Sequence, residues 1–381
     1  MQALRKNKTI LFLTNWYPTS SQPLKGIFIK KHVHSILETS YTPVVLHLTY
    51  ENSTSLYKKN IRKYNDEKGV LTTQIIIHTR FFKLFHLLLF HHKLVLKNIS
   101  KQIANEYQPA LIHSNVLYPA GIWANYLSSM LQIPFVHTEH WSKLDKFLIK
   151  SAYRKKGLVS FQNAKFITSV SNYLKNNISK YTEAEKIRIV PNVIDTSKFY
   201  FKEKSKANSE IMFSCVAHWN TPKRPDLIIN SLNEFSIRQS RKIILNVVGN
   251  GPLIEPFKKT KYNIQINFLG DLDAEQLSLL YQTSDYFMHA SNIETFSIVI
   301  AEALSCGTPV IASNVGAIPE LINEENGIVC ENSVENWISG LEELIGGKYE
   351  NKKISVAAGK YSYKKIGEAF EKLYKSVNES D

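Results

Sequence analysis

Short apolar runs alternate with helical patterns along almost the whole chain, and this alternation restricts the folds that the chain can adopt. A first series of buried strands is predicted at 9–14, 44–48, 74–77, 110–113, 135–138, 166–169 and within 187–195, and a second series at 212–217, 243–248, 265–269, 286–289 and 310–312. Strands that alternate with helices pair in parallel, because each helix returns the chain to the starting edge of the sheet. The sequence therefore predicts an α/β protein with two Rossmann-like domains facing across a cleft, where the carboxyl ends of the strands bind ligands.

The boundary between the two domains is predicted from a change in composition. A chain of 381 residues is long enough for two hydrophobic cores. Residues 202–210 are polar, rich in Ser and Lys and without a hydrophobic period, so we interpret them as a linker between an N-terminal domain, 1–201, and a C-terminal domain, 211–360. The last segment, 361–381, begins with the pattern of a helix.

Cysteine usage and the amino terminus indicate the class of protein. Cys215, Cys306 and Cys330 are unclustered and lack metal-binding spacing, which favours reduced core residues in a cytosolic protein. The apolar run 10–13 follows three basic residues but is too short for a signal peptide, so we interpret it as the first buried strand.

Charge is distributed unevenly along the chain. Residues 1–200 contain 28 Lys and Arg against 10 Asp and Glu, a net charge of +18, whereas the remaining residues contain 19 basic and 23 acidic residues, a net charge of −4. A basic surface of this kind binds nucleic-acid phosphates or anionic lipid headgroups. Within it, residues 80–97 combine aromatics, leucines and cations. Two interpretations of this segment remain open: a helix that buries its apolar face in the core, or a helix that lies on a bilayer.

The segment 291–320 contains the most specific pattern in the chain. Its apolar residues recur at the spacing of one buried helix face: Phe296, Val299, Ile300, Ala303 and Leu304. Thr295 or Ser297 can cap the start of this helix, and Gly307 can end it. The amides of the first turn then point at whatever lies beyond the helix, where an anion would be favoured.

Two carboxylates accompany this helix. Glu294 precedes it, and Glu302 lies inside it beside the buried face, where a carboxylate needs partners such as the paired hydroxyls of a sugar. A solvated helix glutamate with a capping neighbour is the alternative interpretation. Together with the turn at 305–310 and the segment 316–320, the two glutamates resemble the signature of retaining glycosyltransferases of family 4, which have the GT-B fold.

Two loops of the predicted C-terminal domain are similar to the donor-binding loops of that family. In the first, Lys223 falls on the family lysine that neutralises the donor diphosphate, Arg224 replaces the usual glycine, and His218 stands where many members have arginine. A solvated basic helix start is the alternative for Lys223 and Arg224. In the second, the turn that contains Asn250 and Gly251 follows a strand and lets the backbone approach a phosphate or sugar.

The predicted N-terminal domain carries weaker matches. Gly26 corresponds to a family glycine that approaches the donor phosphate, and His140, after a strand, corresponds to a histidine that faces the cleft. We interpret His113 and His137 as structural hydrogen-bonding residues. The resemblance also implies that the C-terminal segment, 361–381, crosses back to the N-terminal domain.

An Asp-x-Asp pair tests this interpretation, because such a pair holds a divalent metal in the other large glycosyltransferase fold. Asp271 and Asp273 precede an amphipathic helix, so an N-capping role is the simpler prediction. We therefore expect no metal and no cofactor, with the charge of the departing nucleotide offset by side chains and backbone amides.

The resemblance implies a retaining, metal-independent glycosyltransferase that moves a sugar from a nucleotide-diphosphate sugar to a hydroxyl of a glycan or lipid-linked acceptor, in surface polysaccharide or glycolipid synthesis. Its implied catalytic residues are Glu294, His140 and Lys223. Its implied donor-binding residues are Gly26, His218, Lys223, Arg224, Asn250, Gly251, Glu294, Thr295, Phe296, Ser297, Ile298 and Glu302.

The basic N-terminal half suggests a partner beyond the substrates. Because the first domain carries the acceptor site in this fold, we expect a cytoplasmic protein that binds peripherally to the anionic inner face of the cell membrane. A sugar-nucleotide epimerase of the same fold is one alternative, but it does not explain Glu294 and Glu302 in this context. A basic nucleic-acid-binding protein would explain the charge but not the motifs, so we expect no nucleic-acid partner.

Overall fold

The computed structural model describes residues 8–82, 84, 89–203 and 209–378, and the chain divides into two compact units. The first unit contains the chain up to Val193 together with the segment from Tyr363 onward, and the second unit runs from Ile194 to Ser362. Within these described ranges, no helix is both long and apolar enough to cross a membrane. Residues 204–208 of the predicted linker lie outside the described residues.

The first unit is built on one sheet. Its strands are β1 (Thr9–Thr14), β2 (Thr42–Asn52), β3 (Lys58–Asn65), β4 (Leu71–Thr79), β5 (Leu111–Asn115), β6 (Phe135–Glu139), β7 (Ile167–Ser169) and β8 (Ile187–Ile189). They are ordered β3-β4-β2-β1-β5-β6-β7-β8, and all neighbours pair in parallel except β3, which is antiparallel to β4. The sequence does not predict β3, because this edge strand is exposed on both faces and needs no apolar alternation.

Helices connect these strands. They are α1 (Ile27–Ser35), α2 (Leu89–Gln102), α3 (Ile122–Leu131), α4 (Leu144–Lys150), α5 (Arg154–Asn163) and α6 (Asn172–Ile178). In α2 the buried residues have helical spacing, so this helix packs on the core: His92, Val95, Leu96 and Ile99. Its opposite side exposes Phe90 and Leu94. Residues 83 and 85–88 of the basic segment 80–97 lie outside the described residues.

The second unit contains a parallel sheet with helices between its strands. The strands are β9 (Glu210–Val216), β10 (Lys242–Val248), β11 (Gln265–Gly270), β12 (Tyr286–His289), β13 (Val310–Ser313) and β14 (Gly327–Cys330), in the order β11-β10-β9-β12-β13-β14. The helices are α7 (Pro225–Ser236), α8 (Ala274–Thr283), α9 (Ile298–Ser305), α10 (Val334–Gly346) and α11 (Asn351–Ala358). The strand order reverses between β9 and β12, which is where such sheets bind ligands. The three cysteines are free and buried, as the sequence predicts for core thiols.

The last helix, α12 (Tyr363–Asn378), belongs to the first unit. One of its faces completes that unit's core with Ile366, Phe370, Leu373, Tyr374 and Val377. Each such side chain stabilises the fold by roughly 1.5–3 kcal/mol when fully buried. A Cβ atom at Gly367 would overlap the carbonyl oxygen of Ser35, so glycine permits the close approach of α12 to α1.

The predicted domain boundary is wrong, because residues 194–201 and the described residues of the predicted linker, 202–203 and 209–210, belong to the second unit. The carbonyl of Lys198 accepts a 2.6 Å hydrogen bond from Ser278 Oγ. The carbonyl of Tyr200 accepts a 2.9 Å hydrogen bond from the side chain of Gln282. These contacts are made by backbone carbonyl groups, which leave no hydrophobic pattern in the sequence. The composition of the segment therefore does not show to which unit it belongs.

Candidate active site

Two side chains of the second unit, Lys223 and His289, converge on one carboxylate oxygen of Glu294. Lys223 Nζ forms an ion pair with Glu294 Oε1. His289 Nε2 lies 3.0 Å from the same oxygen and 3.3 Å from Lys223 Nζ. Lys223 follows β9, His289 ends β12 and Glu294 follows β12, so the cluster sits where the order of the strands reverses.

The backbone of Glu294 packs closely against a glycine. Gly316 has φ +57, and a Cβ atom there would overlap the carbonyl oxygen of Glu294. That oxygen accepts a 3.0 Å hydrogen bond from the amide of Ala317. Any side chain at Gly316 would therefore displace Glu294, which explains a glycine at this position of the motif.

The charge state of the cluster follows from burial and proximity. Burial acts to raise the pKa of Glu294, but the Lys223 ammonium and the His289 imidazole outweigh it and hold the pKa at about 2. Burial lowers the pKa of His289, and the Lys223 ammonium lowers it further against the opposing effect of Glu294. At neutral pH the cluster therefore combines an ionised carboxylate with a neutral imidazole.

The helix after Glu294 starts at the later of the two positions that the sequence allows. α9 begins at Ile298, with Ser297 at the N-cap, and Phe296 precedes the helix with its ring 5.5 Å from that of Tyr361. The side chain of Ser297 makes no capping hydrogen bond to α9. Ser297 Oγ instead lies 3.4 Å from His289 Nε2, and the half-buried Thr295 lies between Glu294 and the N-cap. The first-turn amides of a helix have no partners within the helix, so these amides can receive an anion.

Glu302 is buried inside α9, with 6% of its surface exposed. The helix is buried on all sides from Ile300 to Ser305 rather than along a single face, because it lies inside the second unit. Burial, and then the Glu302 carboxylate, raises the pKa of the Tyr281 hydroxyl. Gly307 follows the helix with φ +79, the left-handed conformation predicted for its end.

The remaining predicted donor-binding side chains have local partners. His218 Nδ1 lies 3.0 Å from the carbonyl oxygen of Asn250. Arg224 binds the Asp226 carboxylate through Nε at 2.9 Å and through its terminal nitrogen at 2.7 Å. The structure therefore pairs Arg224 with Asp226, whereas Lys223 joins the Glu294 cluster. A Cβ atom at Gly251 would overlap the Trp219 backbone, so this glycine lets the loops after β9 and β10 meet.

In the Asp-x-Asp pair, Asp273 has the capping role that the sequence predicts. Asp273 accepts hydrogen bonds from the amides of Glu275 at 3.0 Å and Gln276 at 2.9 Å, and the Gln276 side chain accepts one from the Asp273 amide at 3.1 Å. Asp271 accepts a 2.9 Å hydrogen bond from the Asn250 side chain. Both carboxylates are thus engaged in local structure at the start of α8.

In the first unit, His140 lies immediately after β6 and is 7% exposed. Its Nε2 lies 3.2 Å from Asn115 Oδ1, and its ring packs 4.7 Å from that of Phe28. Burial, followed by the neighbouring His32, holds the pKa of His140 well below its ordinary value. His140 is therefore neutral at the carboxyl edge of the first sheet.

Gly26 and the two structural histidines occupy the same unit. Gly26 precedes α1 with φ +68, and a Cβ atom there would overlap the carbonyl of Trp16. His113 bonds Tyr374 and Thr138, each at 2.6 Å. His137 lies 2.9 Å from Ser114 Oγ. These bonds agree with a structural interpretation of both histidines.

Sequence reasoning missed two charged or polar residues of these sites. Glu139 is fully buried, and its carboxylate accepts hydrogen bonds from the amides of Leu117 at 2.9 Å and of His140 and Trp141 at 2.8 Å. It thereby fixes the loop that carries His140. His289 ends the strand just before the glutamate motif. The only sequence signal for His289 is that it closes the apolar strand β12, and the only one for Glu139 is that a carboxylate closes the strand β6.

Comparisons with known proteins identify the family. The model described as "Glycosyl transferases group 1" matches residues 196–365, and the model described as "Glycosyltransferase Family 4" matches residues 53–198. The chain is 25% identical over 251 residues to the alpha-monoglucosyldiacylglycerol synthase of Streptococcus pneumoniae, covering 59% of this chain and 56% of that protein. It is 26% identical over 258 residues to the N-acetyl-alpha-D-glucosaminyl L-malate synthase of Bacillus anthracis, covering 63% and 66%. These matches span less than two thirds of either relative.

Solved structures agree over the whole chain. Anabaena HepE in complex with UDP superposes with a TM-score of 0.73 at 15% identity, covering 97% of this chain and 100% of that one. Sucrose-phosphate synthase from Thermosynechococcus elongatus superposes with a TM-score of 0.69 at 17% identity, covering 98% and 99%. At such identities the likeness shows the fold. The chain is a member of glycosyltransferase family 4, of the glycosyl transferases group 1 type, and has the GT-B fold.

Proposed function

We propose that this protein is a retaining, metal-independent glycosyltransferase that moves a sugar from a nucleotide-diphosphate sugar to a hydroxyl of a glycan or lipid-linked acceptor. The observation that carries the proposal is the cluster of Lys223, His289 and Glu294 beside the start of α9. It combines a cation and the first-turn backbone amides of α9, which suit a diphosphate, with an ionised carboxylate, which suits the hydroxyls of a sugar.

Each group has a role in the proposed donor complex. The Lys223 ammonium and the amides of 295–298 would offset the charge that develops on the departing diphosphate. Glu294 would accept hydrogen bonds from hydroxyls of the transferred sugar, and Glu302 would bind the ribose diol. His140, neutral at the edge of the first sheet, would contact the reacting sugar.

The proposed stereochemical course needs no enzymatic nucleophile. The acceptor hydroxyl attacks the sugar from the face that the leaving phosphate departs from, and an oxygen of that phosphate takes the acceptor proton. The bond from the anomeric carbon to the phosphate oxygen breaks as the bond to the acceptor oxygen forms. The configuration at the anomeric carbon is therefore retained.

Metal independence is proposed from the engagement of the acidic pair. Asp271 and Asp273 bond an asparagine side chain and helix amides. Using them as metal ligands would require breaking the N-cap of α8, whereas Lys223 already supplies positive charge beside Glu294. The Lys223 ammonium is therefore a simpler source than a metal ion of the positive charge that neutralises the diphosphate.

An exposed apolar and basic surface on the first unit supports a membrane-proximal acceptor. We define it by its exposed apolar residues Leu56, Tyr57, Phe81, Leu84, Phe90 and Leu94 and by its cations Lys58, Arg80, Lys93 and Lys97. The Tyr57 ring lies 5.5 Å from His91, and the amide of Arg80 bonds the carbonyl of Ser55 at 2.7 Å, so three chain segments contribute to it. Apolar side chains surrounded by cations match an anionic bilayer surface.

The position of this surface fits that assignment. Lys58 pairs with His78 near the carboxyl end of β4, and Asn52 pairs with Thr79 there. The surface therefore lies toward the carboxyl ends of the strands of this sheet, where His140 also lies. The pneumococcal relative is named for a glucosyldiacylglycerol, which agrees with a lipid-linked acceptor.

A panel of nucleotide sugars tests the proposal. UDP-glucose, UDP-galactose, UDP-N-acetylglucosamine, GDP-mannose and ADP-glucose are screened by thermal shift, without added metal. A true donor at a hundredfold its Kd stabilises the fold by about 2.7 kcal/mol. Isomerised free nucleotide sugar formed without acceptor would favour the epimerase alternative. Stabilisation by DNA or RNA but by no nucleotide sugar would overturn the proposal.

A further inference from the structure

His289 has one nitrogen within reach of two oppositely charged groups. Its Nε2 lies 3.0 Å from Glu294 Oε1 and 3.3 Å from Lys223 Nζ. A neutral imidazole nitrogen either donates or accepts a hydrogen bond, so it cannot satisfy both neighbours. The shorter distance is to the carboxylate, which favours the tautomer with the proton on Nε2.

The surroundings of His289 keep it neutral and fixed. The residue is 2% exposed and ends β12, so the ring is set by a strand rather than by a loop. Its pKa is lowered first by burial and then by the Lys223 ammonium. The ring therefore acts as a hydrogen-bond donor of constant charge, unlike the flexible lysine beside it.

Binding of the donor weakens the interaction between Glu294 and Lys223. The diphosphate and Glu294 are both anions that attract the Lys223 ammonium, so Glu294 loses part of its charge partner when the diphosphate binds. The Glu294 side chain is only 13% exposed, so water cannot fully replace that partner. A carboxylate left without one would turn toward Lys223 or take up a proton.

We propose that His289 is a positioning residue that donates from Nε2 to Glu294 and holds this carboxylate toward the donor sugar when the donor diphosphate engages Lys223. The inference rests on the proposed function, because it assigns the diphosphate to Lys223 and the sugar to Glu294. It predicts that His289 matters for the chemical step more than for binding of the nucleotide.

Two substitutions separate this role from packing. His289→Leu removes the donor at similar volume, whereas His289→Gln places an amide N–H near the position of Nε2. With the nucleotide sugar found in the panel, we expect His289→Leu to lower kcat roughly tenfold or more, as for a lost hydrogen bond to a charged group. The affinity for UDP or GDP alone, measured by calorimetry, should change less than about threefold, which is under 0.7 kcal/mol. His289→Gln should recover most of kcat.

A spectroscopic measurement tests the same inference without turnover. Ring ¹⁵N chemical shifts of the full-length protein, with His289 assigned by its loss in His289→Gln, should report a proton on Nε2 with and without UDP or GDP. This measurement stands even if His289→Leu fails to fold. An unprotonated Nε2, or wild-type kcat in a folded His289→Leu, would overturn the inference while leaving the proposed function intact. Failure of the wild type to bind any nucleotide sugar would instead reject the proposed function.

Discussion

Lys223 and His289 stabilise the Glu294 carboxylate as an anion and hold it in position. Because we assign its carboxylate to hydroxyls of the reacting sugar, Glu294→Ala should reduce turnover by roughly a hundredfold or more with the fold intact. Glu302→Ala should mainly raise the KM for the donor, since we assign it to the ribose. Steady-state kinetics and circular dichroism check both expectations. Near-normal turnover in Glu294→Ala would remove Glu294 from the reaction.

The same residue makes stability depend on pH. Its pKa is about 2 in the folded protein against an ordinary value of 4.5. A carboxyl group whose pKa is lower when folded stabilises fully above pH 4.5 and loses that contribution as the pH falls toward 2. The difference in free energy of unfolding between wild type and Glu294→Gln should therefore shrink by about 2 kcal/mol from pH 7 to pH 3. Urea titrations at both pH values measure it, and a constant difference would contradict the assigned charge state.

Site residues could be predicted where they lie in a sequence motif. Glu294 and Glu302 were predicted because one precedes a helix and the other lies inside it in a specific pattern, and Lys223 because its loop resembles a donor-binding loop of the family. His289 and Glu139 act through contacts that form only on folding. The partners of Glu139 are backbone amides, which leave no trace in the identity of the neighbouring residues.

At the scale of elements, the start of α8 shows how a local motif excludes a chemical role. Asp273 forms a reciprocal capping box with Gln276, so Asp273→Ala should lower the free energy of unfolding by about 1 kcal/mol. Asp273→Asn keeps a capping oxygen and serves as the matched control, with an expected loss of only a few tenths of a kcal/mol. Equal losses in the two variants would argue against the cap.

Metal dependence is tested separately from capping. Because both acidic side chains have structural partners, EDTA should leave turnover unchanged, and Asp273→Ala should retain most activity at a temperature where it is folded. Activity is compared before and after dialysis against chelator, then with added Mn²⁺ or Mg²⁺. A strict requirement for either ion would reject metal independence.

Strands were predictable where both faces are buried and unpredictable elsewhere. β1 and β10 appear in the sequence as largely apolar runs and β6 begins with one, and the structure confirms all three within one or two residues. β3 is exposed, and β14 is short and half-buried, so neither produces a pattern distinct from a loop. Phe296 was wrongly assigned to the buried face of α9, because its ring is buried by Tyr361 without the residue being helical.

At the scale of the molecule, the basic first half predicts attraction to anionic lipid. The protein should co-sediment with vesicles that contain phosphatidylglycerol, dissociate as salt rises, and bind phosphatidylcholine vesicles poorly. Replacing Arg80, Lys93 and Lys97 by Glu should weaken this binding without changing donor affinity. Lys83, a fourth cation of the segment, lies outside the described residues.

A control variant with the same change in net charge tests whether vesicle binding depends on this surface or only on the net charge of the protein. Glutamate at Lys259, Lys261 and Lys352, exposed cations of the second unit, changes the net charge equally and should weaken vesicle binding less. Phe90→Ser should also weaken it, since this ring is 73% exposed on α2. A wild type that ignores anionic vesicles at low salt would make a water-soluble acceptor the better hypothesis.

The return of α12 to the first unit sets the order in which that unit can mature on the ribosome. Its core lacks Phe370, Tyr374 and their neighbours until the whole second unit has been translated. Until then the nascent first sheet exposes the apolar surface that α12 will cover, and His113 lacks its bond to Tyr374. The first half of the polypeptide therefore emerges early but is completed last, which lengthens the period during which chaperones or aggregation compete with folding.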